Sequence, residues 1–236
     1  MRYLALATDF DGTLAQEGRV ERPTLAALDR LRASGRRLVL VTGRELDELL
    51  GIFPEIGRFD RVVAENGALL YDPATKAARD LAPPPPPLLL EDLRRRGVPF
   101  SVGRSIVATV EPHEHAVLAA IQALGLEWHI TFNKGSVMAL PSGVTKATGL
   151  ASALKELGIV QDRVVGVGDA ENDHAFLRLC GLSAAVSNAL PSLIAAVDLV
   201  TAGARGTGVA ELIDAFLADD LAHVKPSAGR HDRPTL

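Results

Sequence analysis

Residues 3–8, Tyr3-Leu4-Ala5-Leu6-Ala7-Thr8, carry no charge, and the chain then reads Asp9-Phe10-Asp11-Gly12-Thr13-Leu14. A short uncharged apolar run predicts a strand buried on both faces, and such a strand belongs in a parallel sheet covered by helices. Two carboxylates therefore stand where a buried strand ends. In open α/β sheets, ligands bind just beyond the carboxyl ends of the strands. Gly12 lets the backbone turn tightly and approach a ligand. The plain alternative is an Asp-Gly turn with both acids solvated.

The pattern recurs along the chain. Residues 23–35 keep helical spacing through Leu25, Leu28 and Leu31, with Pro23 suited to the first turn. Leu38-Val39-Leu40-Val41 is a second buried strand and ends in Thr42-Gly43-Arg44. Residues 45–56 predict a helix with Leu46, Leu49, Leu50 and Phe53 on one face. Val62-Val63-Ala64 is a third strand, followed by Glu65-Asn66-Gly67-Ala68, and Leu69-Leu70-Tyr71 reads as a short hairpin arm. Alternation resumes after residue 142. Helices are expected over 145–157, 171–179, 191–196 and 209–221, and strands over 164–167, 183–186 and 199–201. Strand and helix in turn predict an α/β core, a parallel sheet with helices on both faces.

The middle differs. Residues 83–87 are five consecutive prolines, a stiff extended strut. Helices follow at 88–96 and 113–124, with Val117, Ala120, Ile121 and Leu124 facing inward. Strands follow at 105–111, 128–132 and 137–140, the last two joined by the Asn133-Lys134-Gly135 turn. This predicts a small α+β domain at residues 82–142, inserted into a core of residues 1–81 and 143–222. With Pro141-Ser142-Gly143 at its far end, the insert suits a lid moving as a body. Residues 223–236 hold two prolines, a glycine and almost no apolar side chain, and are expected to be disordered.

The net charge of −4 gives no reason to expect nucleic acid or an anionic membrane as partner. Arg94-Arg95-Arg96, the only basic run, suits the end of an exposed helix. One cysteine, Cys180, allows no intrachain disulfide and fits a reducing cytoplasm. No run reaches the length of a membrane span, and the apolar start is too short for a signal peptide.

The strand ends bring a set of polar groups to one edge of the sheet: Asp9 and Asp11, Thr42, Lys146, and Asp169 with Asn172 and Asp173. Crowded carboxylates repel unless a cation joins them, and Mg2+ is commonly held by one or two carboxylates plus phosphate oxygens. A carboxylate can also attack phosphorus. Phosphoryl transfer needs little beyond positioning and neutralised charge, which a hydroxyl, an ammonium and backbone N–H groups supply.

These motifs in this order, with Glu65-Asn66-Gly67-Ala68 and Gly168-Asp169-Ala170-Glu171-Asn172-Asp173, resemble the haloacid dehalogenase-like phosphatases over nearly all of residues 3–217. The position of the insert resembles the type II capped subgroup, which includes Cof-type sugar phosphatases, sucrose-phosphatase-like enzymes and archaeal phosphoglycolate phosphatases. The resemblance implies a Rossmann-like core with a cap. It implies a Mg2+-dependent phosphatase acting on a small phosphorylated metabolite through an aspartyl-phosphate, as a monomer or homodimer. It implies Asp9 as nucleophile and metal ligand, and Asp11 as general acid and then base, its carbonyl also on the metal. Thr42 with Gly43 and Lys146 would clamp phosphate, Lys146 also restraining Asp9. Asp169 and Asp173 would serve the metal, and Asn172 the phosphate. Arg44, Asn66, Gly67 and Asn188 would edge the site. There are departures: Ser187-Asn188-Ala189 stands where relatives carry Gly-Asn-Ala, and Lys146-Ala147 where Lys-Gly is common.

Other residues carry weaker signals. Lys134 is a candidate contact for an anionic or hydroxylated leaving group, against the plain reading of a solvated turn lysine. Trp128 and His129 lie in the insert, where Trp128 is more often core. The i, i+2 spacing of His113 and His115 argues against a metal pair. His174 reads as an exposed helix residue and Cys180 as a small buried hydrophobe. Residues 203–208, with three glycines but no following Lys-Ser/Thr, read as a turn rather than a P-loop. Two non-hydrolytic alternatives remain at this point, a phosphoacceptor module of receiver type and a binding protein that has lost turnover.

Overall fold

A computed structural model of the chain describes residues 1–226. Its first strand, β1 (Ala5–Thr8), lies between β2 (Arg37–Val41) and β10 (Val164–Gly168), parallel to both. Thr8 pairs with Leu40 on one side and Val167 on the other, so Asp9 emerges at the shared carboxyl edge of three strands. The sheet continues through β3 (Arg61–Ala64) on one flank and through β11 (Leu182–Ala185) and β12 (Leu199–Val200) on the other. All of these are parallel, as the uncharged runs predict.

Both faces are covered. Leu6, Leu38, Leu40, Val165 and Val167 point to the side packed by α1 (Arg22–Ala33), α2 (Leu46–Ile52) and α8 (Arg205–Asp219). Ala5, Ala7, Val39, Val41 and Val164 point to the side of α5 (Lys146–Leu157) and α6 (His174–Leu179). Alternate residues of one strand thus enter two different cores. The short α7 (Pro191–Ile194) adds Leu193 to the second.

The sequence reading needs several corrections. Leu69-Leu70-Tyr71 is not a free hairpin arm but part of β4 (Leu69–Asp72), antiparallel to β3, and β4 in turn pairs with β5 (Ala77–Asp80). The helix expected to run to 56 stops at Ile52, because Pro54 opens a separate 3-10 turn, and Leu50 is exposed rather than on the buried face. The 171–179 helix begins as a 3-10 turn over Glu171–Asp173. Helix α8 starts at Arg205, through glycines that read as a turn. The expected disorder from 223 does not hold at its start, since Val224 packs into the core; residues 227–236 lie outside the described residues.

Between β5 and α5 stands a second, antiparallel sheet. Its order is β6 (Ser101–Val102), β7 (Val107–Val110), β9 (Ser136–Pro141), β8 (Trp128–Asn133). Helices α3 (Pro87–Arg95) and α4 (Glu114–Ala123) cover one face through Leu89, Leu93, Val117 and Ile121. Pro87 is the first residue of α3, so the strut is shorter than the proline run. Trp128 is half-buried against this small core. Met138 and Leu140, with Ile106, instead contact Ala68 of the main domain.

Candidate active site

Lys146 is the centre of the site. It is fully buried, and its ammonium donates to Asp9 Oδ1 and Asp173 Oδ1, each at 2.6 Å. Thr145 caps α5 through a reciprocal bond with Thr148, which fixes where the helix begins and so where Lys146 enters. The helix comes in close because there are glycines where it meets the sheet. A Cβ on Gly67, whose φ is +108°, would collide with the Thr145 carbonyl, and one on Gly149 would lie 2.7 Å from the Gly67 Cα. Gly67 thus serves packing beneath Lys146, a reason the Asn-Gly dipeptide does not reveal.

Asp173 is held as firmly. Its Oδ2 accepts the N–H groups of Asp169 at 2.8 Å and Ala170 at 3.0 Å. Thr13 donates to Asp169 Oδ1 at 2.9 Å. Carboxylate oxygens of Asp9, Asp169 and Asp173 lie within 4.8 Å of one another, and all three residues are buried. An all-oxygen, anionic donor set of this size fits a hard divalent cation. Burial pushes the Asp9 carboxyl well above the usual range against the pull of Lys146, and the nearby Asp173 and Asp169 push the same way. Burial likewise raises Asp169, opposed by Lys134. Burial alone would lower the Lys146 ammonium, but Asp173 and Asp9 outweigh it and hold it charged.

The fourth acid of the sequence set stands apart. Asp11 is gripped by Arg44 through two bonds, Nε to Oδ2 at 2.6 Å and Nη2 to Oδ1 at 2.8 Å. Its side chain does not join the buried cluster. Thr42 is buried and accepts the Arg44 backbone N–H at 3.1 Å. Gly43 leaves room for the cap: a Cβ there would come within 3.2 Å of Met138 Sδ. Asn172 donates to Asn66 Oδ1 at 3.0 Å, while its own Oδ1 is buried with no partner among the described residues.

The turn at Lys134 reaches this edge from the second sheet. Its ammonium pairs with Asp169, and its backbone N–H donates to Glu171 Oε2 at 3.2 Å. Asn188 donates to the Gly12 carbonyl at 2.9 Å, which ties the segment after β11 to the loop after β1. A polar cavity of about 360 Å³ opens beside Asp11, lined by Gln16, Asn133, Lys134, Asn188 and Arg205 among others. Trp128 and His129 do not line it.

Two residues of the site have no local signature. Glu65 is buried, and its carboxylate accepts the N–H groups of Arg104 at 3.0 Å, Ser105 at 2.8 Å and Ile106 at 3.3 Å, so a residue of the main domain clamps a loop of the insert. Arg205 lies in the segment that reads as a glycine turn. Neither placement has a local sign beyond the position of Glu65 inside the Glu65-Asn66-Gly67-Ala68 motif.

The sequence pattern of haloacid dehalogenase-like hydrolases matches residues 6–84 and 109–213. The chain is 32% identical over 222 residues to a phosphoglycolate phosphatase of Methanothermobacter thermautotrophicus, covering 90% of this chain and 98% of that one. It is 30% identical over 226 residues to phosphoglycolate phosphatase 2 of Saccharolobus solfataricus, covering 91% and 93%. A haloacid dehalogenase-like hydrolase of known structure from Bacteroides thetaiotaomicron shares the fold, with a TM-score of 0.76 at 19% identity over 90% of this chain and 98% of that chain. The chain belongs to the haloacid dehalogenase-like hydrolases. Within them it is a capped phosphoric monoester hydrolase, and the receiver-like alternative falls away. Among the described residues no helix is long and apolar enough to cross a membrane.

Proposed function

We propose that this chain hydrolyses a small phosphorylated metabolite, of phosphoglycolate or sugar-phosphate type, through an aspartyl-phosphate on Asp9 with Mg2+ bound. The observation that carries the reading is the buried set of Asp9, Asp169 and Asp173 bridged by Lys146. The relatives named phosphoglycolate phosphatases support the substrate class. Asp9, Asp169, Asp173 and the Asp11 carbonyl would hold the cation. When bound, Mg2+ neutralises charge on the phosphoryl oxygens.

The residues then divide the work. The free oxygen of Asp9 attacks phosphorus, while Lys146 holds the other oxygen and fixes the line of attack. Thr42, Gly43, Asn172 and Lys146 receive the phosphoryl oxygens, Asn172 through the second N–H of the amide nitrogen that already donates to Asn66 Oδ1. Asp11 gives a proton to the leaving oxygen and later takes one from the water that attacks phospho-Asp9. To do so its carboxyl turns from Arg44 toward the cavity it lines. The insert at 82–142 acts as a lid that excludes water, with Lys134 brought over the site. We place the enzyme in the cytoplasm, in keeping with its one buried cysteine.

Hydrolysis of p-nitrophenyl phosphate tests the reading. EDTA should abolish phosphate release and excess Mg2+ should restore it. Undiminished turnover in EDTA would contradict it.

A further inference from the structure

The cavity beside Asp11 is lined by a cation to which the chemistry at Asp9 gives no role, Arg205. In this structure Arg44 is paired with Asp11 and Lys134 with Asp169. Arg205 is half-buried in the cavity wall, and among the described residues no carboxylate pairs with its guanidinium. Glu17 also lines the cavity, but it is exposed at the rim and not bonded to Arg205.

The placement of Arg205 is built, and at a cost. Its φ is +49°, in the left-handed region that a non-glycine residue adopts only when its surroundings impose it. Its N–H donates to Asn188 Oδ1 at 2.8 Å, and Asn188 donates in turn to the Gly12 carbonyl at 2.9 Å, so two hydrogen bonds link it to the nucleophile loop. The glycines around it are there for close packing. A Cβ on Gly206 would lie 2.5 Å from Thr24 Oγ1, and one on Gly203 would lie 2.8 Å from the Gly208 nitrogen. The backbone of Arg205 is thereby fixed beside the cavity, which its side chain lines together with Asp11.

The planar fork of donors at the end of an arginine suits a carboxylate, which it can bind through two parallel bonds. The cavity of about 360 Å³ is near the small end of ligand sites, so the leaving group is short. We infer that Arg205 is a specificity-determining residue that binds a carboxylate on the leaving group of the monoester. The inference rests on the phosphatase reading above and narrows its substrate to short phosphomonoesters that carry a second anionic group.

The test is a ratio: kcat/KM for phosphoglycolate over kcat/KM for ethyl phosphate, which lacks the carboxylate. In the unaltered enzyme the ratio should exceed about 10, the least that one charged hydrogen bond supplies. Arg205→Asn tolerates the left-handed backbone, and in it the ratio should fall about 10–100-fold, mainly through KM, with Arg205→Lys falling less. A ratio near one in the unaltered enzyme overturns the inference without any variant. So does an Arg205→Asn ratio that stays within about twofold of the starting value, even if both rates have dropped together. An unaltered enzyme that hydrolyses neither of these esters nor p-nitrophenyl phosphate overturns the phosphatase reading itself. Turnover of ethyl phosphate with no preference overturns only the role of Arg205.

Discussion

The two sheets of this molecule bury their strands differently. In the main sheet, β1, β2 and β10 are covered on both faces, and each strand alternates between two cores. In the insert, helices cover one face, the facing residues Met138 and Leu140 meet only a small cluster, and Val102, Val110 and Phe132 stay exposed. The main domain can therefore hold charged groups rigidly at its strand ends, where Asp9, Asp169, Asp173 and Lys146 are all buried. The contacts that join the insert to it include the Glu65 clamp, the cluster around Ala68, the bond of Ser101 to Glu45, the pair between Arg104 and Asp80, and the bonds of Lys134 to Asp169 and Glu171. In the proposed reading the chemistry falls to the buried acids of the main sheet, and selection of the substrate to the cavity that the Lys134 turn of the insert lines together with Asp11 and Arg205.

The largest effect should come from breaking the rigid side. Lys146→Met leaves Asp9 and Asp173 facing each other in a buried site without their cation. Removing one partner of a buried ionic set typically costs about 3–5 kcal/mol, and urea unfolding in the absence of divalent metal should show a loss of that size. An unchanged midpoint would mean that the acids are already neutral and that Lys146 does not organise the site.

A smaller and more local effect should follow at the seam. Glu65→Gln replaces a carboxylate that accepts three backbone N–H groups by an amide with a single acceptor oxygen. The stranded donors should cost about 1–3 kcal/mol, expressed as faster hydrogen exchange at Arg104, Ser105 and Ile106 with little change in the main sheet. Exchange that rises equally in β1 and β10 would erase the distinction between a rigid core and a loosely held insert.

What the sequence disclosed follows the same division. Buried parallel strands announce themselves because every residue must be apolar, so β1, β2, β3 and β10 could be placed from the chain alone, and with them the acids at their ends. Strand β5 escaped because Ala77–Asp80 is a largely exposed edge with no alternation to read. Strand β6 escaped because two exposed residues carry no pattern. The overlong helix after Thr42-Gly43-Arg44 followed its leucines past Pro54, where the proline signal should have prevailed. Glu65 and Arg205 were beyond reach for a different reason. Glu65 binds a segment far away in the chain and Arg205 lines a cavity made by several segments, and neither carries a local mark of that. Lys134 was legible only as a candidate, and the structure brings it to Asp169.

The central claim is that Asp9 becomes phosphorylated during turnover, and intact-protein mass spectrometry of the Asp11→Asn variant tests it most directly. That variant keeps the nucleophile and the backbone carbonyl but loses the base that draws a proton from water, a group worth roughly 10²–10⁴-fold in rate. Mixed with Mg2+ and p-nitrophenyl phosphate, whose phenolate departs without a proton from residue 11, and quenched in acid, it should carry one added phosphoryl group, mapped to Asp9 after proteolysis and absent from a variant that also carries Asp9→Asn. Turnover that persists with no phosphoryl group on Asp9 would contradict the account and point to direct attack by water.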